Sequence, residues 1–188
     1  EFIIEVYYYR KTMSIISKRR YNYEIQPTSE QEARLVDFTS FDRGLWNLLL
    51  SENIRYYQHS KKFFFYEQMA KLITELKQFD EFNWLRQIDS AAAQQCAKSL
   101  QKALKDALDK KQKDKGFPNF KSKHNKNSFR IPQSVKVDFE SYKFFVPKIG
   151  WIKYYKDKPI NGTIKFATVS KTPTNRYFVS ITFETNEK

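Results

Sequence analysis

The hydrophobic period of this chain changes twice, and that limits the folds open to it. Residues 18–25 (KRRYNYEI) alternate Arg20, Asn22 and Glu24 with Tyr21, Tyr23 and Ile25, the period-two pattern of a half-buried strand. Gln26-Pro27-Thr28-Ser29 then stops the strand and starts a helix, because Thr28 and Ser29 offer hydroxyls to the free amides of a first turn while Gln31 and Glu32 reach back. Leu35, Phe38, Leu45, Leu48, Leu49 and Ile54 follow at helical spacing, as do Met69, Leu72, Ile73 and Leu76. Ala92, Cys96, Leu100, Ala103, Leu104, Ala107 and Leu108 form a small-and-leucine seam that predicts a helix over 90–115, stopped by Gly116. Past Pro132 the period returns to two in 135–140, 142–146, 151–155, 162–170 and 177–185. In the last of these Tyr177, Val179, Ile181 and Phe183 share one face.

A lone strand leaves its backbone groups unpaired, so the first strand is expected to join the carboxy-terminal ones. The predicted class is α+β: a small antiparallel β-barrel, OB-like, interrupted by an inserted helical bundle. The corresponding division is a first barrel strand at 18–27, a helical domain at 28–115, a connector at 116–133 and the remaining barrel strands at 134–188. Residues 1–17 read as an extension, and EFIIEVYYYRKT ahead of Met13 is either an extra strand or upstream reading frame.

Charge narrows the function. Thirty-four Lys and Arg against 21 Asp and Glu give a net +13 and a pI near 9.6, so polyanions are the natural partners. Aromatics at 17% argue for an ordered chain. With Cys96 as the one cysteine and His59 and His124 as the two histidines, neither a Cys/His zinc set nor a disulfide framework can be assembled. Cys96 on the helical seam reads as a small buried hydrophobe. No apolar run approaches the roughly 20 residues needed to span a bilayer. The expectation is a cytoplasmic, nucleoid-associated protein with no membrane partner. Paired carboxylates, a Ser/His/Asp set and a glycine-rich phosphate loop are all missing, so no catalytic residue and no metal ligand is assigned.

Between Lys102 and Lys126 stand nine lysines and three aspartates. The stretch GFPNFKSKHNKNSFRIPQ carries Gly116, Pro118 and Pro132, which exclude a helix, and interleaves cations with Phe117, Phe120 and Phe129. The two leading phenylalanines are expected to pin this connector to the body, so that Lys121, Lys123, Lys126 and Arg130 lie along phosphates at a low ordering cost. Lysines there give affinity; base reading needs forked side chains. Gln94, with Gln95 beside it near the start of the long helix, suits adenine. Tyr66, beside Lys61-Lys62, is a further candidate, as are Lys148 and Lys153 in VPKIGWIKY.

The order of motifs RYNYEIQPTSEQEARL, FDRGLWNLLL, LITELKQFDEFNWLRQID, AQQCAKSLQKAL, GFPNFKSK, SFRIPQ, VPKIGWIKY and GTIKFATVSKTPTNRYFVSITFE closely resembles the amino-terminal half of TnpB (OrfB), the accessory protein of insertion sequences and a relative of type V CRISPR effectors. The resemblance covers about residues 18–184. It implies that the interrupted barrel is a wedge domain and the bundle a recognition domain. Together these would hold a guide RNA derived from the transposon end and read a short motif beside a double-stranded DNA target. It places Tyr66 and Gln94 near that motif and the basic connector along the RNA backbone. The family's RuvC-like nuclease, with its divalent metal, would follow the strand at 177–185, so cleavage is not carried over to this chain and no cofactor is expected in it. Two rival readings stand beside this one, a standalone DNA-binding regulator and a helix-turn-helix transposase accessory protein.

Overall fold

In the computed structural model, which describes residues 15–123, 127–132, 135–155 and 158–187, one strand leads into a helical block and then into six further strands. Strand β1 (Ile15–Gln26) starts earlier than its alternation suggests. It pairs antiparallel with β7 (Tyr177–Glu187) from Ile15 opposite Glu187 to Ile25 opposite Tyr177. Its last residues, Ile25 and Gln26, also pair with β5 (Gly150–Tyr154). The lone strand does join the carboxy-terminal ones, and it does so in the middle of the sheet.

The full order is β2 (Asn127–Ile131), β6 (Thr163–Lys171), β7, β1, β5, β4 (Lys143–Val146) and β3 (Lys136–Asp138). The sheet is antiparallel and open, with β2 and β3 at its ends, which corrects the expectation of a closed barrel. Closure is one way to protect a sheet edge and a helix laid against it is another; β2 is packed against the helical block. This strand also occupies part of the stretch read as connector, because Phe129 and Ile131 bury themselves at period two.

Helix α1 (Ser29–Ser60) runs unbroken for 32 residues. Its start is the expected capping box: Gln31 N–H donates to Thr28 Oγ1 at 3.3 Å and Thr28 N–H to Gln31 Oε1 at 3.0 Å. Leu35 near that end is fully buried against Tyr23, Ile25, Phe144 and Val179 of the sheet core. Leu45, Leu49 and Leu50 are fully buried in a second core with Met69, Leu100 and Leu104. One helix therefore enters both cores, and it is the main tie between them.

After Lys61, which turns left-handed at φ 57°, come α2 (Tyr66–Leu76), a 3-10 turn (Asp80–Phe82), α3 (Trp84–Gln87) and α4 (Ser90–Leu108). Asp89 caps α4 by accepting from Ala91 and Ala92 N–H at 3.0 and 3.1 Å. The helix stops at Leu108, well before Gly116. No apolar side chain continues its seam, and the Asp109 carboxylate takes the Lys111 N–H at 2.9 Å, a local bond that competes with helix.

Asn53 is fully buried at the junction of α1 and α2. Its Nδ2 donates to the Leu49 carbonyl at 3.1 Å and its Oδ1 accepts the Phe64 N–H at 3.1 Å. Asn53→Leu keeps the branched shape of the side chain and strands the Phe64 N–H, a loss of about 2–3 kcal/mol. Urea unfolding should show a lower midpoint at unchanged slope.

Candidate nucleic-acid interface

Three surfaces collect the candidate residues. The first is the outward side of α4, where Gln94, Lys98, Lys102 and Lys105 are all exposed at spacings of four and three, hence on one face. Beside it, the Tyr66 N–H at the head of α2 donates to Gln101 Oε1 at 2.9 Å, and the Lys98 ammonium sits 5.0 Å from the Tyr66 ring centroid. Lys105 lies 5.4 Å from the Phe65 ring. Packing of α2 on α4 thus brings Tyr66 to the face that carries Gln94. Gln101 and Lys98 were not singled out from the sequence, and Lys102 and Lys105 counted there only as part of the lysine-rich run, although their spacing was there to be read. Lys102 is held by Asp106 at 2.6 Å, and that ion pair lowers the Asp106 pKa below the usual carboxylate value. Gln95 faces elsewhere and donates to Ser99 Oγ at 3.2 Å.

The second surface is the connector, pinned in a way the sequence did not suggest. Trp46 Nε1–H donates to the Asn119 carbonyl at 3.0 Å. Asn47 accepts the Lys121 N–H at 2.8 Å and donates to the Lys121 carbonyl at 3.0 Å, closing a paired bond as a strand would. The Lys121 ammonium then reaches Asp42 Oδ2 at 3.0 Å and lies 4.5 Å from the Trp46 ring. One stretch of α1, carrying Asp42, Trp46 and Asn47, fixes the backbone of the connector. Of the two phenylalanines expected as pins, Phe117 leans on Phe63 at 5.8 Å while Phe120 stays 54% exposed.

The cations of the connector take different positions. Lys121 and Arg130 both line a groove of about 140 Å³ between the helices and the β2 edge, with Gln95 and Ser99 opposite. Lys123 is exposed, and Lys126 lies outside the described residues. Cys96 also borders this groove, but it is buried; burial, with Asp42 adding to it, pushes its thiol pKa far up, so it is inert as a nucleophile.

The third surface is the outward side of β3, β4 and β5. Lys136 is paired in register with Phe145 and Phe145 with Trp151, while Lys143 is paired with Lys153. Trp151 is 45% exposed and meets Phe145 edge-on at 5.3 Å. Lys153 is exposed in this row. Lys148 has a different setting. At φ 63° in the β4–β5 turn, it sends its ammonium to the carbonyls of Arg86, Gln87 and Ile88 at 3.2, 3.1 and 3.2 Å. A cation on the closing carbonyls of α3 satisfies groups that would otherwise lack partners. Arg34 donates to the Lys148 carbonyl at 3.1 Å and Gln31 to that of Trp151 at 2.9 Å, so this turn braces sheet against helices.

Among the described residues no group of three or more His, Cys, Asp or Glu could hold a metal ion, and no helix is long and apolar enough to cross a membrane.

A family model described as a helix-turn-helix domain matches residues 13–62. The described part of that span is β1 followed by the whole of α1, and the turn that joins α1 to α2 begins only at its end. The chain is 30% identical over 164 residues to InsQ of Escherichia coli (strain K12), a protein named for RNA-guided DNA endonuclease activity; the match covers 87% of this chain and 40% of InsQ. It is 25% identical over 170 residues to a Streptomyces pristinaespiralis protein named for the same activity, across 89% of this chain and 42% of that protein. The chain therefore spans about two fifths of the length of these curated relatives.

Proposed function

We infer, from the likeness of this chain to the amino-terminal part of TnpB (OrfB) proteins, that it binds nucleic acid in a transposon-associated, RNA-guided DNA endonuclease. In this reading it grips a guide RNA made from the transposon end and reads a short tag in the double-stranded DNA target, while base pairing reads the rest. The observation that carries the reading is the α4 face, where one forked amide, Gln94, stands among Lys98, Lys102 and Lys105 and next to Tyr66. Glutamine can bond adenine N6 and N7 at two points, and the lysines supply phosphate contacts. Lys153 with Trp151 on the sheet, and Lys123 on the connector, suit backbone and stacked bases of a single strand. Lys121 and Lys148 serve the same end indirectly, by holding the connector and the β4–β5 turn in place. Cleavage and its divalent metal are the work of the family's nuclease domain, and no residue of 1–188 is assigned to them. Binding would take place in the cytoplasm, at the nucleoid.

The helix-turn-helix match favours one second reading, a DNA-binding regulator or transposase accessory protein that needs no RNA. Fluorescence anisotropy with a structured RNA and with duplex DNA separates the two. The first reading expects RNA binding whose constant falls about 100- to 1000-fold between 50 and 200 mM salt, as roughly five released counterions require. RNA binding indifferent to salt would overturn it. Specific duplex binding with no RNA present would favour the second.

A further inference from the structure

The outward face of β2, β6, β7 and β1 sets Arg130, expected from the sequence to serve the connector, among groups to which no role has been given. Cross-strand register sets them in rows. Arg130, Thr168, Ser180 and Asn22 form one row. Phe166, Thr182 and Arg20 form the next, and Ser128, Ser170, Phe178 and Glu24 lie on the other side. The two arginines stand on the outer strands of this group and lean toward its middle. Arg130 lays its guanidinium 3.6 Å from the Phe166 ring centroid, and Arg20 Nε–H donates to Thr182 Oγ1 at 3.3 Å. Arg20, Asn22, Ser128, Thr168, Ser170 and Ser180 line a depression of about 390 Å³ beneath them, within the roughly 300–1,000 Å³ range of ligand-holding clefts.

Nothing in the described residues neutralises this pair. Of the carboxylates on the same face, Glu24 is forked by Arg176, and Glu184 is held by Lys165 at 2.7 Å and Lys18 at 3.7 Å. Arg130 Nε is buried with no hydrogen-bond partner. Buried donors in folded proteins are nearly always paired, so an orphan beside this polar row asks for an acceptor. Phe166 and Thr182 are register partners, so the two guanidinium groups sit over adjacent positions of one row; burial first, and the charge of Arg20 second, lower the Arg130 pKa. An arginine remains charged all the same. Two guanidinium groups converging over hydroxyls, with no acid between them, match a tetrahedral oxyanion better than any other common ligand, because each fork donates to two of its oxygens.

We propose that this face is an oxyanion seat for one phosphate group, gripped by Arg130 and Arg20 with the hydroxyls of Ser128, Thr168 and Ser180 alongside. As the seat of a nucleic-acid phosphodiester it rests on the function proposed above; as a seat for free phosphate it does not. Ser128 of β2 and the neighbouring Thr168 border both the depression and the groove beside α4, and Arg130 borders the groove. A strand of nucleic acid seated on this face has a polar route toward Gln95 and Ser99.

The test follows the Nε–H signals of Arg20 and Arg130 in the whole chain by proton–nitrogen correlation spectroscopy, assigned with Arg20→Lys and Arg130→Lys. Inorganic phosphate and a single-stranded oligouridylate are titrated separately at matched ionic strength, with chloride as reference. The expected result is a downfield shift of both signals with the oligonucleotide, and oligonucleotide binding weakened about tenfold in Arg130→Gln. Movement with inorganic phosphate alone supports the seat and assigns it to the free ion. If neither probe moves the signals beyond the chloride reference, the seat is overturned, since this readout on the unaltered chain does not depend on any variant folding. RNA binding retained in that case leaves the function proposed above standing, and its loss with the phosphate shift preserved removes that function and keeps the seat.

Discussion

Gly162→Ala lowers the thermal unfolding midpoint by roughly 6–20 °C, the equivalent of about 3–5 kcal/mol in a chain of this size. A methyl group built on Gly162 would sit 2.2 Å from the carbonyl oxygen of Glu184, 2.9 Å from its carbon and 3.1 Å from the Phe183 ring, at a φ of +154°. The nearest atoms are backbone in the sheet's second-longest strand, so they can move only by parting the ladder between β6 and β7. That ladder is already irregular between Ile164 and Phe166, which leaves little slack. Glu184 would carry its ion pairs to Lys18 and Lys165 along with any shift. Gly116→Ala is the matched control, with no heavy atom within 4 Å of the added methyl, and its midpoint should stay within the ±0.5 kcal/mol of an ordinary surface change. Equal midpoints for the two variants in a calorimetric scan would show that the close approach at Gly162 is relieved cheaply.

On the α4 face, Gln94→Ala and the pair Lys98→Ala with Lys105→Ala should fail in different ways. Removing the amide leaves affinity for bulk duplex nearly intact and erases preference among sequences, by about 1–3 kcal/mol or roughly 5- to 150-fold. Removing the two ammonium groups weakens all sequences alike and reduces the slope of log affinity against log salt by about 2. The lysine pair also uncovers the rings of Tyr66 and Phe65, so the loss includes a modest packing contribution. Competition binding with a randomised duplex pool, read at two salt concentrations, distinguishes the outcomes. Unchanged sequence preference in Gln94→Ala would remove that residue from the reading surface.

The parts of the molecule that could be read from the sequence are those fixed by neighbours in the chain. The alternation of Tyr21, Tyr23 and Ile25, the Thr28–Gln31 cap and the inward face of β7 all rest on spacings of two to four residues. Strand β2 escapes such a reading because Asn127–Ile131 is short and follows a lysine-rich run, so its two buried positions, Phe129 and Ile131, carry little weight. The end of α4 falls earlier than expected because Gly116 is a plain stop signal, whereas the loss of apolar partners after Leu108 acts first. Phenylalanine is the natural pin to expect for the connector. The actual clamp, Trp46 and Asn47 on Asn119 and Lys121, joins positions more than seventy residues apart, and no local pattern announces it. The convergence of Arg20 and Arg130 is further still from local reading. It exists only once the register of four strands is set.

Placing the first strand at the centre of the sheet has a consequence for biosynthesis. Ile15–Gln26 leaves the ribosome well before its ladder partner Tyr177–Glu187, with all the helices and the other five strands translated in between. Contacts so distant along the chain close slowly. The helices between them form a contiguous stretch with a core of their own and are free to compact early. Until Tyr177–Glu187 emerges, β1 trails as a largely unsatisfied ribbon, the sort of segment that chaperones cover and that pairs wrongly in their absence.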